Sequence, residues 1–151
     1  MKVKDILSQV CIELDTSLNS KKAVLDHLSE TLEADGSEPS SIEIFEGLLS
    51  RERLGSTGLG NGIAIPHARI PGISKTTATF LRITNGIDFD AIDNLPVDMF
   101  FVLLVPEDST DEHLEILAQL VEMFRNDTFL DKLRTQKDPN IIWTMLTEGK
   151  T

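Results

Sequence analysis

One cysteine, Cys11, leaves no partner for an intrachain disulfide. Small secreted domains lean on several such bridges, so this scarcity points to a reducing, cytoplasmic setting. Nothing near the start resembles a signal peptide either: Met1 to Asp15 mixes Lys2, Lys4, Asp5 and Glu13 into its apolar residues. No apolar run approaches the roughly 20 residues that a membrane-inserted helix needs. The longest, Met99 to Val105, has the length of a strand. Basic residues are in deficit, 14 against 25 acidic ones, for a formal net charge of −11. General nucleic-acid binding needs a basic surface that displaces counterions, and the charge argues against that class. The same charge suits attraction to a partner with a basic face, and equally serves solubility alone. The histidines, His27, His67 and His113, are scattered, with no H-E-x-x-H and no paired-cysteine spacing, so neither a metal nor a cofactor is expected. Repeats, low-complexity tracts and linkers are absent as well.

What remains is an ordinary globular chain of 151 residues, 40% hydrophobic, which fits one domain over residues 1–151. Periodicity and caps predict five helices. The first runs from about Ser20 to Leu32 with Val24, Leu25, Leu28 and Leu32 on one face. A capping box, Ser40 with Glu43, opens the second, which is expected to bury Phe45, Leu48 and Leu49 and to stop near Gly55. Another box, Ser109 with Glu112, opens a third with the stripe Leu114, Leu117, Leu120, Val121 and Phe124. A short helix follows Asp127, and the last begins at Asp138-Pro139. A helical turn near Lys4 to Leu7 is marginal. Strand signals lie between the second and third helices, at Gly62 to Pro66, Thr76 to Ile83 and Val97 to Val105. The last is continuously apolar, as in a strand covered on both faces, so Leu81, Met99 and Phe101 are expected in the core. Helices, then strands, then helices imply an α/β single-domain sandwich, a mixed central sheet flanked by helices, whose strand order the sequence leaves open.

The chemistry concentrates in one stretch, Arg51 to His67. It leaves a helix, crosses a turn holding four of the nine glycines, enters a short strand and presents a histidine directly after Pro66. Glycines let a backbone approach a ligand, and successive N–H groups form anion-binding nests, so Ser56, Thr57, Gly58 and Gly60 are candidate phosphate binders. Neutral imidazole is a nucleophile near pH 7. Phosphoryl transfer asks for in-line positioning and donors to the equatorial oxygens, which a glycine turn, an arginine and a histidine together supply. The glycines do not form G-x-x-x-x-G-K-[ST], and Gly58, Gly60 and Gly62 lead into a strand rather than the helix of a dinucleotide fingerprint. On the residues alone, a tight glycine loop before an ordinary histidine is the reading to displace.

Glu52, Leu59, Gly60, Ile63-Ala64-Ile65-Pro66-His67 and Ala68 resemble the active-histidine signature of the mannitol/fructose/nitrogen-type enzyme IIA family of the bacterial phosphotransferase system. The resemblance extends to Phe89 to Asp98 and Leu103 to Pro106, blocks most similar to the nitrogen-regulatory branch. It implies an α/β sandwich and phosphorylation of His67, at Nε2, by a small histidine phosphocarrier protein. It also implies that Arg51 contacts the phosphoryl group, with Arg53 as the fallback, and that His113 is the second active-site histidine. The helix dipole favours a neutral His113, whereas Glu107, Asp108, Asp111 and Glu112 favour the protonated form; the sequence leaves both open. His27 matches nothing in the family and is expected at the surface. The segment Ala68-Arg69-Ile70-Pro71-Gly72 departs from the family pattern. Apolar residues near His67, such as Ile70 or Leu59, are candidates for partner docking.

Three functions compete. A regulatory phosphohistidine carrier acts on target proteins in nitrogen, potassium or carbon metabolism. A sugar-specific enzyme IIA instead feeds a cysteine on a separate IIB domain. A non-catalytic anion-binding module uses the glycine loop only.

Overall fold

A computed structural model describes residues 2–33, 39–109 and 111–149 and, of Glu112, the backbone only. The elements run α1 (Val3–Ile6), β1 (Leu7–Thr16), α2 (Lys21–Leu32), α3 (Ser41–Arg53), β2 (Gly58–Gly60), β3 (Ile63–Ala64), β4 (His67–Ile70), β5 (Thr77–Ile87), β6 (Val97–Pro106), α4 (Glu112–Phe124), α5 (Asp127–Thr135) and α6 (Pro139–Glu148). The expected sandwich is there, built on a six-stranded mixed sheet.

The sheet order is β1-β5-β6-β3-β2, with β4 also on β6. β5 and β6 pair antiparallel, β1 is parallel to β5, and β3 and β4 are both parallel to β6. β6 is the spine. Met99, Phe101, Leu103 and Val105 face the core under α1, α4, α5 and α6, while Phe100, Val102 and Leu104 face the core under α2 and α3. This period-2 split explains why the strand reads as uniformly apolar: both faces are covered.

Most helix starts follow the sequence. Ser20 Oγ accepts from Ala23 N at 3.1 Å, and Ser40 and Glu43 form the expected reciprocal box. Asp138 caps α6 ahead of Pro139, and Gly149 ends that helix at φ 68°. The Ser109–Glu112 box does not start α4. Its N-cap is Asp111, with no side-chain cap bond, and the Glu112 side chain lies outside the described residues. Buried faces are also rotated from expectation. In α3 the fully buried side chains are Ile44 and Leu48, with Phe45 and Leu49 flanking them; in α4 they are Ile116, Leu120 and Phe124, while Leu114 is exposed.

β1 has no counterpart in the sequence reading beyond the helical turn before it. It is an edge strand with register shifts against β5 between Leu7 and Ile12 and again between Glu13 and Thr16, so its burial does not alternate. Trp143 Nε1 pins it by donating to Leu7 O at 2.7 Å. One glycine matters for placing the site. A Cβ at Gly47 would stand 2.5 Å from Ile70 Cδ1, so this bare position lets α3 lie close against β4.

Candidate functional site

β3 and β4 are two halves of one run along β6, interrupted at Ile65-Pro66. On the β6 side the ladder survives, because Leu103 N donates to Pro66 O at 3.0 Å. On the other side, Ile65 N donates to Thr57 O at 3.1 Å, and there the pairing with the β2 segment ends. Proline has no N–H to continue it. His67 follows at the freed edge, in register with Leu103 and facing the α4 side.

The half-buried His67 ring has Nδ1 at 2.8 Å from Ile65 O. A carbonyl oxygen only accepts, so Nδ1 carries the proton and Nε2 keeps the lone pair. Burial, more than any other influence, pushes His67 below the ordinary histidine value; Arg51 and His113 push the same way, against the Ile65 bond and the Glu52 carboxylate. The lowered value favours the neutral ring at pH 7, with Nε2 as its basic atom.

Around it lies a cleft of about 410 Å³ lined by Gly47, Ser50, Arg51 and Leu54 from the end of α3, His67, Ala68 and Arg69 from β4, Val105 from β6 and His113 from the start of α4. Arg51 Nη1 donates to Gly55 O at 2.8 Å, which anchors the guanidinium at its own helix end. His113 is 8% exposed and occupies the first turn of α4. Two hollows of about 490 and 540 Å³ elsewhere contain no histidine.

Residues 5–149 match the family described as "Phosphoenolpyruvate-dependent sugar phosphotransferase system, EIIA 2". The chain belongs to this EIIA family. A nitrogen regulatory protein of Pseudomonas aeruginosa is 42% identical over 129 residues, 85% of this chain and 84% of that one. A fructose-specific EIIA component of Haloferax volcanii is 32% identical over 137 residues, 91% and 89% of the two chains. Among solved structures, the nitrogen regulatory protein IIA-Ntr of Neisseria meningitidis superposes with a TM-score of 0.92 at 40% identity, covering 96% of this chain and 99% of that one.

In this EIIA the fold brings His67, Arg51 and His113 into one cleft and leaves other expected residues out. Arg53 lines the groove between α2 and α3. Ser56, Thr57, Gly58 and Gly60 are not among the cleft residues, and their polar groups serve the fold. Ser56 Oγ donates to Phe89 O at 2.7 Å and accepts from Gly58 N at 3.0 Å. Thr57 N donates to Glu52 Oε1 at 3.2 Å, and the Thr57 hydroxyl donates to Glu52 Oε2. The glycines answer to packing and turn geometry. A Cβ on Gly58 would stand 2.9 Å from Ala91 Cβ and 3.0 Å from its Cα. Asn61 and Gly62, at φ 57° and 82°, form a two-residue turn from β2 to β3 with both central residues at positive φ, as a type I′ hairpin requires. The Asn-Gly pair was the sequence signal for it.

Ile70 is buried beneath α3 and offers no docking surface, whereas Leu59 is exposed away from the cleft and Leu54 is exposed within it. Leu81, Met99 and Phe101 are core residues, as expected. His27 is half-buried, its Nε2 within 2.8–2.9 Å of both Glu13 carboxylate oxygens, rather than simply solvated. Arg69 is the cleft residue that the sequence reading missed. Two residues beyond His67 on one strand, it leaves the same face, and that spacing was the available signal. Among the described residues no helix is long and apolar enough to cross a membrane, and no cluster of His, Cys, Asp and Glu could hold a metal ion.

Proposed function

We propose that His67 Nε2 accepts a phosphoryl group from a histidine phosphocarrier protein and that the phosphorylated state regulates target proteins. One observation carries the chemistry: the Nδ1 bond to Ile65 O, which leaves the lone pair on Nε2. That pair attacks phosphorus, the donor's N–P bond breaks, and its electrons return to the donor's imidazole nitrogen. Arg51 and His113 stand in the cleft to stabilise the charge on the equatorial oxygens. The nitrogen regulatory relatives support the regulatory reading. The fructose-specific relative supports a second one, in which the phosphoryl group moves on to a cysteine of a IIB domain.

Incubation with phosphoenolpyruvate, enzyme I and the phosphocarrier should add one acid-labile, base-stable phosphate. His67→Ala should abolish it; an adduct that persists in this variant refutes the assignment. Chase of the labelled protein with a IIB domain separates the two readings, since only the carrier role drains the label.

A further inference from the structure

The cleft holds a second guanidinium to which the transfer above assigns no part. Arg69 Nη1 donates to Ser109 O at 2.6 Å and lies 3.5 Å from Glu107 O. Its Nη2 donates to His113 Nε2 at 3.4 Å. A guanidinium has only donors, so His113 Nε2 is the acceptor in this contact. Two of the three acceptors are backbone carbonyls and the third is an imidazole nitrogen, and among the described residues Arg69 has no ion pair with a carboxylate. A cation facing a nucleophile's cleft is thus occupied by carbonyls and an imidazole, the weaker class of partner.

We propose that Arg69 is a stored phosphoryl ligand: it holds the β6–α4 connection while His67 is unmodified, and on phosphorylation of His67 it moves to the phosphoryl oxygens and unties that connection. The inference rests on His67 being the acceptor. His67 and Arg69 share one face of β4 and line one cleft, which puts a phosphoryl group on Nε2 within reach of the long arginine side chain. That group brings about −1.5 to −2 charges. Charge-assisted bonds are roughly twice as strong as neutral ones, and the planar fork of arginine fits phosphate with two parallel bonds. Arg51 is differently placed, since its anchor is Gly55 O at the end of its own helix.

Departure of Arg69 has a defined consequence. Glu107, Asp108 and Asp111 are exposed carboxylates on the connection that Arg69 ties down. Without the guanidinium they repel one another and the new phosphoryl charge. The turn that Ser109 N makes to Pro106 O, at 3.0 Å, loses its support. A modification on a half-buried ring is thereby exported to an exposed acidic segment that a regulatory partner can touch.

The test compares wild type, Arg69→Gln and Arg69→Lys, each with and without phosphate, by intact mass, amide NMR and hydrogen exchange. In wild type, exchange at Ser109 should rise about tenfold on phosphorylation, the equivalent of one net hydrogen bond. Glu107 and His113 amide signals should shift with it. In Arg69→Gln the exchange should be fast from the start and unchanged by phosphate, and Arg69→Lys should fall between. Phosphate fully on His67 with the wild-type loop signals unmoved overturns this inference alone. Arg69→Gln behaving as wild type in both states overturns it as well. Absence of phosphate from wild type overturns the acceptor reading and this inference with it. Should Arg69→Gln fail to fold, the wild-type comparison before and after phosphorylation decides.

Discussion

Replacement of Glu52 by alanine should weaken both the fold and the site, by a route the hydrogen bonds spell out. The Glu52 carboxylate, 2% exposed, accepts from Thr57 N at 3.2 Å and from the Thr57 hydroxyl, and pairs with Lys21 Nζ at 3.1 Å. Alanine strips two donors of a buried threonine of their acceptor, at about 1–3 kcal/mol each. Removing one member of a buried ion pair costs about 3–5 kcal/mol when the other is stranded. Lys21 is not stranded: its side chain is 21% exposed, its Nζ donates to Phe89 O at 3.4 Å, and it sits 4.5 Å over the Phe89 ring. The low end therefore applies, about 3 kcal/mol in all. For a chain of this size that is about 6–12 °C in Tm. Glu52→Gln keeps one acceptor and should lose about half as much, about 1.5 kcal/mol. Urea unfolding at unchanged m-value is the assay. The functional loss follows from a relay: Glu52 holds Thr57 N, Thr57 O holds Ile65 N at 3.1 Å, and Ile65 O holds His67 Nδ1 at 2.8 Å. Phosphoryl acceptance should fall along with stability. A Glu52→Ala protein within about 1 kcal/mol of wild type would refute the reasoning.

Arg51→Ala should slow phosphoryl acceptance while leaving the unfolding midpoint close to wild type, and His113→Ala should slow it as well; a preorganised donor is worth about 10²–10³ in rate, and the open cleft sets the expectation at the lower figure. Wild-type single-turnover rates in both would reject their role. Because burial holds His67 below the ordinary histidine value, the acid limb of the acceptance rate should have its midpoint below about pH 6.5, and a midpoint above that value contradicts the assignment. The sign for stability is the same: the unfolded chain binds the proton more readily, so the contribution of His67 is complete above about pH 6.5 and is lost as pH falls through the lower folded value. His67→Ala should flatten that part of a stability–pH curve.

What the sequence made legible was what local chemistry decides. Ser20, Ser40 with Glu43, and Asp138-Pro139 cap helices using partners within a few residues, so their patterns carry their own explanation. β6 was legible because its seven-residue apolar run needs cover on both faces. β1 was not: an edge strand interrupted by register shifts buries no regular face, so no alternation marks it. Arg51 and His113 were found through the family resemblance, since 62 residues of chain separate them and no spacing rule joins them. The glycines expected to bind phosphate do not line the cleft. Close approach to Ala91 leaves the same mark on a sequence as close approach to a ligand. Arg69 escaped because its partners, Glu107, Ser109 and His113, lie 38 to 44 residues away.

The nucleophilic role proposed for His67 rests on a defect in a strand. In an unbroken β-strand, the carbonyl two residues before a histidine is committed to a ladder bond with a neighbouring strand. Here Pro66 ends the ladder on the β2 side just after Ile65 N has bonded Thr57 O, and the Ile65 carbonyl turns instead to the imidazole. That one acceptor selects the tautomer, orients the ring and reserves Nε2 for chemistry. The same bond favours protonation of the ring, so by itself it would raise the histidine toward a cation and blunt the nucleophile. Burial opposes it, and Arg51 and His113 add to the opposition, leaving the ring neutral on a chain whose net charge is −11. Arg51 and His113, proposed above to receive phosphoryl charge, thus also add to the burial that keeps the lone pair available before it arrives.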